Sequence, residues 1–170
     1  MYPFPDYPKK IIFGIHENAC NLACQKCLVH SESYPRGIKL KKSLGSMPIE
    51  SIIKVFDEVK EAKPSLSPSF WSEPLLNNKL FRSFVLEARV RGLPVSINTN
   101  ALLITEDMAE FLVEHLDQIS VSIDALTKET LLKTRATSEL ELITNSVFLL
   151  LEKRAERKKP RISVSFSTEE

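Results

Sequence analysis

The cysteines are the residues of this sequence most able to do chemistry. Cys20, Cys24 and Cys27 are the only three, and they lie within eight residues of one another. An odd number of thiols cannot close into disulfides without a partner chain, so these side chains are better suited to metal ligation or to nucleophilic chemistry. The apolar run Lys10–His16 before them predicts a short buried strand. The thiols are therefore expected on a loop at the end of a strand, where α/β proteins place their chemistry.

The C-x3-C-x2-C spacing limits which metal the thiols could hold. A structural zinc site has four protein ligands, commonly two C-x2-C pairs or cysteines with histidines at helical offsets. The nearest histidines, His16 and His30, form no such pair. Iron–sulfur clusters of the four-iron type normally take four cysteines, so three would leave one iron without a protein ligand. An open coordination position is typical of a catalytic metal centre.

Strand-like and helix-like segments alternate along the whole chain. After the first strand, further strands are predicted to end near Phe70–Trp71 and to cover 94–98, 118–123 and 161–166. Helices are predicted from Pro48, over 77–91 with Gly92 as C-cap, from Thr105, over a turn at 128–133, and from a capping box at Ser138 to Pro160. This alternation predicts parallel β/α units with right-handed crossovers. The pattern alone does not separate a doubly wound sheet from a barrel-like curve.

The composition excludes several functional classes. With 170 residues, 43% of them apolar and 26% charged, the chain is expected to form one domain over residues 1–170. The net charge of +1 gives no signal for binding to nucleic acid or to a membrane surface. The sequence has neither an apolar run long enough to span a bilayer nor a secretory signal. Free thiols without an export signal predict a cytoplasmic protein.

Polar side chains follow three of the predicted strands, at the edge where parallel sheets bind their ligands. Trp71-Ser72-Glu73 follows the second strand, and the carboxylate of Glu73 is a suitable acceptor for an ammonium donor. Asn100 follows the third strand. Ser122 and Asp124, at the end of the fourth strand, project to one side of it. The sequence therefore predicts a polar ligand site next to the cysteines.

The cysteine triplet, the strand before it and these strand-end segments together resemble the radical S-adenosylmethionine (SAM) enzymes. Trp71-Ser72-Glu73-Pro74 is similar to the Gly-Gly-Glu-Pro segment of that family, Asn98–Ala101 to its Thr-Asn-Gly segment, and Ser122–Ala125 to its Ser-x-Asp-Gly segment. The resemblance covers nearly the whole chain. It implies a partial TIM-like barrel of six β/α units, of which this sequence contains about five. The chain is therefore expected to be the N-terminal portion of a larger enzyme, or else an unusually short member of the family.

The resemblance also implies a cofactor set and the residues that hold it. In this family three cysteines hold a 4Fe–4S cluster and SAM chelates its fourth iron, so Cys20, Cys24 and Cys27 are the expected metal ligands. Glu73 is expected to meet the methionine amino group of SAM, and Arg135 its carboxylate. The full set of expected SAM contacts is Gln25, Trp71, Ser72, Glu73, Asn100, Ser122, Asp124 and Arg135.

The sequence departs from the family pattern in two segments. Trp71 and Ser72 replace the glycines of the second-strand segment. Gln25 replaces the aromatic residue that commonly follows the second cysteine and packs beside adenine, and an amide would meet adenine by hydrogen bonding instead.

The activity implied by the resemblance begins with one electron passing from the reduced cluster to SAM. The C5′–S bond then breaks, and the 5′-deoxyadenosyl radical takes a hydrogen atom from the substrate. The strand-end segments resemble members that modify peptides or proteins, so a peptide substrate is expected, with a sugar, nucleoside or other small metabolite as the alternative. A non-catalytic iron–sulfur or zinc module is the alternative from another class. An electron donor such as a flavodoxin or ferredoxin is the expected partner, while the reaction type and the catalytic residues stay unassigned.

Overall fold

The computed structural model of the chain describes residues 7–15, 19–31, 45–69 and 71–166. Five strands alternate with helices in this part of the chain, as the sequence predicts. The strands are β1 (Lys10–Ile12), β2 (Ser65–Ser67), β3 (Ser96–Thr99), β4 (Gln118–Ser122) and β5 (Arg161–Ser165). The helices are α1 (Ile49–Val59), α2 (Asn78–Val90), α3 (Glu106–His115), α4 (Lys128–Arg135) and α5 (Leu140–Arg154), with a 3₁₀ turn at Pro74–Leu76. No helix in these described ranges has the length and apolar character that a membrane span requires.

All strand pairs are parallel, and neighbours in the sheet are neighbours in the sequence. β1 pairs with β2, and β3, β4 and β5 pair in that order. A bridge between Leu66 and Val95, with the Leu66 amide 2.7 Å from the Pro94 carbonyl, joins the two groups. A doubly wound sheet would reverse its order at a switch point, whereas a barrel adds each strand to the same edge. Over the described residues the sheet stays open, which confirms the predicted partial TIM-like barrel.

The two faces of the sheet differ in chemistry because the strands alternate apolar and polar residues. Ile97, Ile119 and Ile162 occupy one register row, and the first two are fully buried. The intervening side chains point to the opposite face, since side chains alternate along a strand. Parallel strands buried on both faces read as continuous apolar runs. The alternation therefore leaves one polar face that is partly open to solvent.

The apolar core lies between the other face and the helices. α1 contributes Ile52, Phe56 and Val59, which recur at helical spacing along one face. The rings of Phe13, Phe56 and Phe84 pack edge to face, with centroids 5.0 to 5.5 Å apart. Such aromatic pairs stabilise a fold beyond the area they bury. This cluster fixes α1 and α2 against the start of the sheet.

The predicted start of α3 is confirmed, while both predicted ends of α5 are wrong. The Thr105 hydroxyl accepts a hydrogen bond from the Met108 amide, 3.2 Å away, and so caps α3. The capping box at Ser138 does not form, because α5 begins at Leu140 after Glu139, which makes no side-chain cap bond. The same helix ends at Arg154 rather than at Pro160. Ala155 takes a left-handed φ of 49° and breaks the helical path.

The first two strands are shorter than predicted. β1 ends at Ile12, although the Phe13 amide still donates to the Ser67 carbonyl, and His16 lies outside the described residues. β2 ends at Ser67 instead of near Trp71. Pro68 follows it and has no amide hydrogen to continue the ladder. The segment before Glu73 is therefore loop and not strand.

Candidate active site at the cysteine loop

Residues 19–31, the cysteine loop, lie against the carboxyl ends of β2 and β3. The Glu73 amide donates to the Ala19 carbonyl, 3.0 Å away. The side-chain amide of Asn100 donates to the Asn21 side-chain oxygen at 2.7 Å. Leu22 anchors the same end of the loop because its side chain is buried. The first cysteine is thus positioned by the segments that follow two neighbouring strands.

The second half of the cysteine loop has its own long-range contacts. The backbone amide of Gln25 donates to the Thr134 carbonyl in α4, 2.9 Å away. Nε2 of His30 lies 3.0 Å from the Trp71 carbonyl oxygen. The side chain of Val29, which lies between Gln25 and His30 in the sequence, is buried. The loop is therefore held against the β2 end, the β3 end and α4.

The three thiols are half-buried and free. Burial raises the pKa of the Cys20 thiol, and the nearby Glu73 carboxylate raises it further. Burial also raises the pKa of the Cys24 thiol. The nearby Arg135 guanidinium opposes part of this rise, because its positive charge stabilises the thiolate. Both thiols are therefore protonated at neutral pH in the metal-free chain. Because a metal binds the thiolate, ligation at these two positions must release protons.

The donor set fits an iron–sulfur cluster better than a single metal ion. Within the described ranges, no group of three or more His, Cys, Asp or Glu side chains stands close enough to hold one ion. A cluster does not require the thiols to meet at one point, because each cysteine binds a different iron atom. Three thiols on one loop, each within electrostatic reach of the others, match that requirement. The residues present therefore fit a cluster with three protein ligands.

Glu73 forms a buried clamp between the β2 loop and the end of β3. Its side chain is 3% exposed. One carboxylate oxygen accepts from the Thr99 hydroxyl at 2.7 Å and from the Leu75 amide at 3.3 Å. The other carboxylate oxygen accepts from the backbone amide of Asn100 at 2.8 Å. Burial raises the pKa of Glu73, and these three donors oppose that shift by stabilising the carboxylate.

Asp124 and Arg135 form an ion pair at the end of β4. A guanidinium nitrogen of Arg135 lies 2.8 Å from a carboxylate oxygen of Asp124, and Arg135 is buried. Asp124 takes a left-handed φ of 59°, which turns the chain sharply after the strand. Ser122 accepts a hydrogen bond from the Ser165 hydroxyl at 3.3 Å. Nε of Arg135 is buried and has no hydrogen-bond partner among the described residues.

Comparison with known families decides the class of this arrangement. The family model of the radical SAM superfamily matches residues 15–167. The chain belongs to the radical SAM superfamily. No curated protein sequence matches it.

Solved radical SAM proteins share the fold of this chain. The structure of native anSMEcpe with bound AdoMet superposes with a TM-score of 0.72 at 22% identity, covering 92% of this chain and 43% of that one. Streptococcus suis SuiB bound to S-adenosylmethionine gives 0.68 at 15%, covering 96% and 35%. BtrN in complex with AdoMet and 2-DOIA gives 0.65 at 18%, covering 95% and 58%. The chain therefore spans about two fifths of the length of anSMEcpe, and at these identities the likeness shows the fold alone.

The structure brings together only some of the residues predicted for the radical SAM site. The cysteine loop, Glu73 and Asn100 lie in contact with one another, and Asp124 and Arg135 lie near Cys24. Gln25 and Trp71 are exposed and Ser72 is half-buried. The contacts of these residues with SAM stay predictions.

Three residues that hold this predicted site together were not assigned that role from the sequence. Thr99 and Asn21 carry hydrogen bonds that join the cysteine loop, Glu73 and β3. His30 was considered only as a zinc ligand. Its position three residues after Cys27 was the available signal, because a backbone amide at that spacing can donate to a side-chain acceptor at the start of a turn.

Proposed function

We propose that this chain is the SAM-cleaving core of a radical SAM enzyme that acts on a peptide or protein. The observation that carries the proposal is the position of the cysteine loop. Hydrogen bonds hold it against the carboxyl ends of β2 and β3, beside the buried Glu73 clamp. An electron carrier needs its thiols, but it has no need for a polar ligand site next to them.

In this proposal Cys20, Cys24 and Cys27 hold a 4Fe–4S cluster. When bound there, the cluster would supply the electron for reductive cleavage of SAM, the chemistry from which hydrogen abstraction starts. The protein itself orients the reactants and excludes water. The buried Leu22 and Val29 and the closely packed β2 and β3 ends serve both tasks.

Glu73 and Arg135 are the side chains we assign to the two charged groups of the methionine part of SAM. A carboxylate offers about four lone-pair sites, of which the chain itself uses three, so Glu73 keeps capacity for an ammonium donor. Arg135 has a buried Nε with no partner among the described residues, and its guanidinium already lies near Cys24. Gln25, Trp71, Ser72, Asn100, Ser122 and Asp124 remain the other proposed SAM contacts.

The polar face of the sheet supports a neutral, hydrogen-bonding substrate. We call it the serine face, and it comprises Ser96, Asn98, Ser120, Ser122, Ser163 and Ser165, which share one side of β3, β4 and β5 by their register. Gln118 and Arg161 lie on the same side at the amino ends of β4 and β5, the ends opposite the cysteine loop. Hydroxyl and amide groups both donate and accept hydrogen bonds, and none of them carries charge. A peptide backbone presents the same balance of donors and acceptors.

Two structural relatives supply the analogy for a peptide. Other structures of anSMEcpe and SuiB contain a Cp18Cys peptide and the precursor peptide SuiA. BtrN, solved with 2-DOIA, is the reason to retain a small metabolite as the second candidate. We further propose that a flavodoxin or ferredoxin delivers the electron.

Anaerobic reconstitution tests the proposal. The wild-type chain should take up about four irons and should form 5′-deoxyadenosine from SAM under a strong reductant. Cys24→Ala should do neither, whereas Leu28→Ala, exposed on the same loop, should behave as the wild type. Stoichiometric zinc binding without iron–sulfur absorbance would contradict the proposal. A cluster whose electron paramagnetic resonance spectrum ignores excess SAM would indicate an electron carrier.

A labelling experiment separates the two substrate candidates. The loaded chain is incubated with SAM and either deuterated peptides or deuterated sugars and nucleosides. Deuterium should appear in 5′-deoxyadenosine from the peptide pool. Transfer only from the small metabolites would replace the peptide by the second candidate.

A further inference from the structure

His30 contacts both the third cysteine and the β2 loop. Its backbone amide donates a hydrogen bond to Sγ of Cys27, with the two atoms 3.3 Å apart. Its ring nitrogen Nε2 lies 3.0 Å from the carbonyl oxygen of Trp71, which is 41 residues away in sequence. Because a carbonyl only accepts hydrogen bonds, Nε2 must carry the hydrogen in this contact. One residue therefore bridges a thiol and the loop that leads to Glu73.

The ring contact adds a restraint toward the sheet to the segment 24–31, whose other long-range backbone bond joins Gln25 to Thr134 in α4. The Cys27 amide donates to the Cys24 carbonyl, and the Ser31 amide donates to the Cys27 carbonyl. These bonds shape the turn but do not fix where it lies relative to the sheet. The bond from His30 to the Trp71 carbonyl does, because Trp71 belongs to the loop after β2.

We propose that His30 is a positioning residue that couples Cys27 to the Trp71–Glu73 segment. This assignment rests on the proposed function, in which Cys27 is a cluster ligand and Glu73 faces SAM. Hydrogen bonds to ligand sulfurs and partners that orient the ligands tune a metal site and its affinity. His30 thus transmits the position of the β2 loop to the cluster ligand through one ring and one amide.

The metal-free chain tests the coupling without any cluster. Trp71 is the only tryptophan, so its fluorescence reports on the β2 loop directly. His30→Phe retains an aromatic ring and removes the donor, while His30→Gln retains a donor at a similar reach. In His30→Phe, quenching of Trp71 by acrylamide and alkylation of Cys27 by iodoacetamide should both become faster than in the wild type. His30→Gln and the remote control His115→Phe should leave both rates near the wild-type values.

The loaded chain provides the second readout. Loss of a partner that orients a metal ligand commonly costs about 10- to 100-fold in metal affinity, so His30→Phe should lose its iron to a chelator about tenfold faster or more. His30→Gln should restore the wild-type rate. If His30→Phe fails to fold by circular dichroism, His30→Asn replaces it, because its shorter amide does not reach the Trp71 carbonyl.

The outcomes separate this proposal from the proposed function. Unchanged quenching and unchanged Cys27 alkylation in His30→Phe overturn the coupling, whatever the cluster does. Faster quenching of Trp71 with unchanged Cys27 alkylation also overturns it, because the bond would then not reach the thiol. A wild-type chain that takes up no iron–sulfur cluster overturns the proposed function, while the metal-free measurements still decide the role of His30.

Discussion

Replacing Glu73 by glutamine should loosen the contact between the β2 loop and the end of β3. The two side chains have nearly the same shape, so the substitution changes hydrogen bonding and charge more than packing. The oxygen that accepts from Thr99 and Leu75 can be kept by the glutamine carbonyl. The other oxygen becomes an NH₂ group that faces the Asn100 amide. Two donors then point at each other in a buried site.

The magnitude follows from the Asn100 amide, which loses its acceptor. A buried donor left without a partner costs about 1–3 kcal/mol. Burying a carboxylate is itself unfavourable, and its removal offsets part of this loss where Glu73 is ionised. We therefore expect Glu73→Gln to destabilise the metal-free chain by about 1–3 kcal/mol at acidic pH and by less at alkaline pH.

The pH dependence has a definite sign. Burial raises the pKa of Glu73 above its unfolded value, so the folded chain holds the proton more tightly than the unfolded chain. The stability that this provides is fully present below the unfolded pKa and is lost as pH rises through the folded pKa. Glu73→Gln has no proton to lose there. The difference in unfolding free energy between wild type and variant should therefore shrink as pH rises.

Urea unfolding of the metal-free chain, followed by circular dichroism from about pH 5 to about pH 8, measures both effects. Glu58→Gln is the control, because Glu58 is exposed on α1. The control should follow the wild type at every pH. Equal stability of Glu73→Gln and wild type across the range would refute the clamp. A difference that grows with pH would refute the raised pKa.

Three further measurements test other parts of the structure. Arg135→Ala removes the buried ion pair with Asp124 and should destabilise the chain by about 3 kcal/mol in urea unfolding; a loss below about 0.5 kcal/mol would show that the pair is surface-like. The hydrogen bond from Arg91 lowers the pKa of Asp57. The stability that this bond gives the fold is therefore present above the unfolded pKa of Asp57 and is lost as pH falls through its folded pKa. An NMR titration of the Asp57 carboxyl that is unchanged in Arg91→Gln would contradict this. Among the β5 amides, those pointing away from β4 should exchange hydrogen faster than those bonded to it, and equal protection would mean that the outer edge is covered.

The fold was largely predictable because its signals are local and periodic. The apolar faces of α1, α2 and α3, the Thr105 cap and the strand alternation all follow from residue spacing. The wrong predictions concern the ends of helices and strands, because the position of such an end depends on the backbone conformation of one or two residues. Ala155 ends α5 with a positive φ that nothing in its side chain demands, since alanine favours the helix. The sequential strand order that excludes a doubly wound sheet is a long-range property and left no local signal.

The site was predictable as a set of residues but not as a network. Spacing identified the three cysteines, and strand-end position identified Glu73 and Asp124. The pairing of Asp124 with Arg135 and the clamp from Glu73 to the Asn100 amide join separate segments. Sequence shows only that each of these groups needs a partner, since buried charges are rarely left unpaired.

The turn after β3 shows how the chain keeps this geometry without a glycine. The family segment that resembles Asn98–Ala101 has glycine at its end, and Ala101 takes a left-handed φ of 62° in that place. For an L-residue with a Cβ this conformation costs about 1–2 kcal/mol. Bonds on both sides hold it, because the Ala101 amide donates to the Thr99 hydroxyl and its carbonyl accepts from the Ser146 hydroxyl. Strain of this kind persists only where the surroundings enforce it. Here the strained Ala101 directly follows Asn100, whose backbone amide donates to Glu73 and whose side chain donates to the cysteine loop, so the enforced turn holds the residue that joins the two halves of the site.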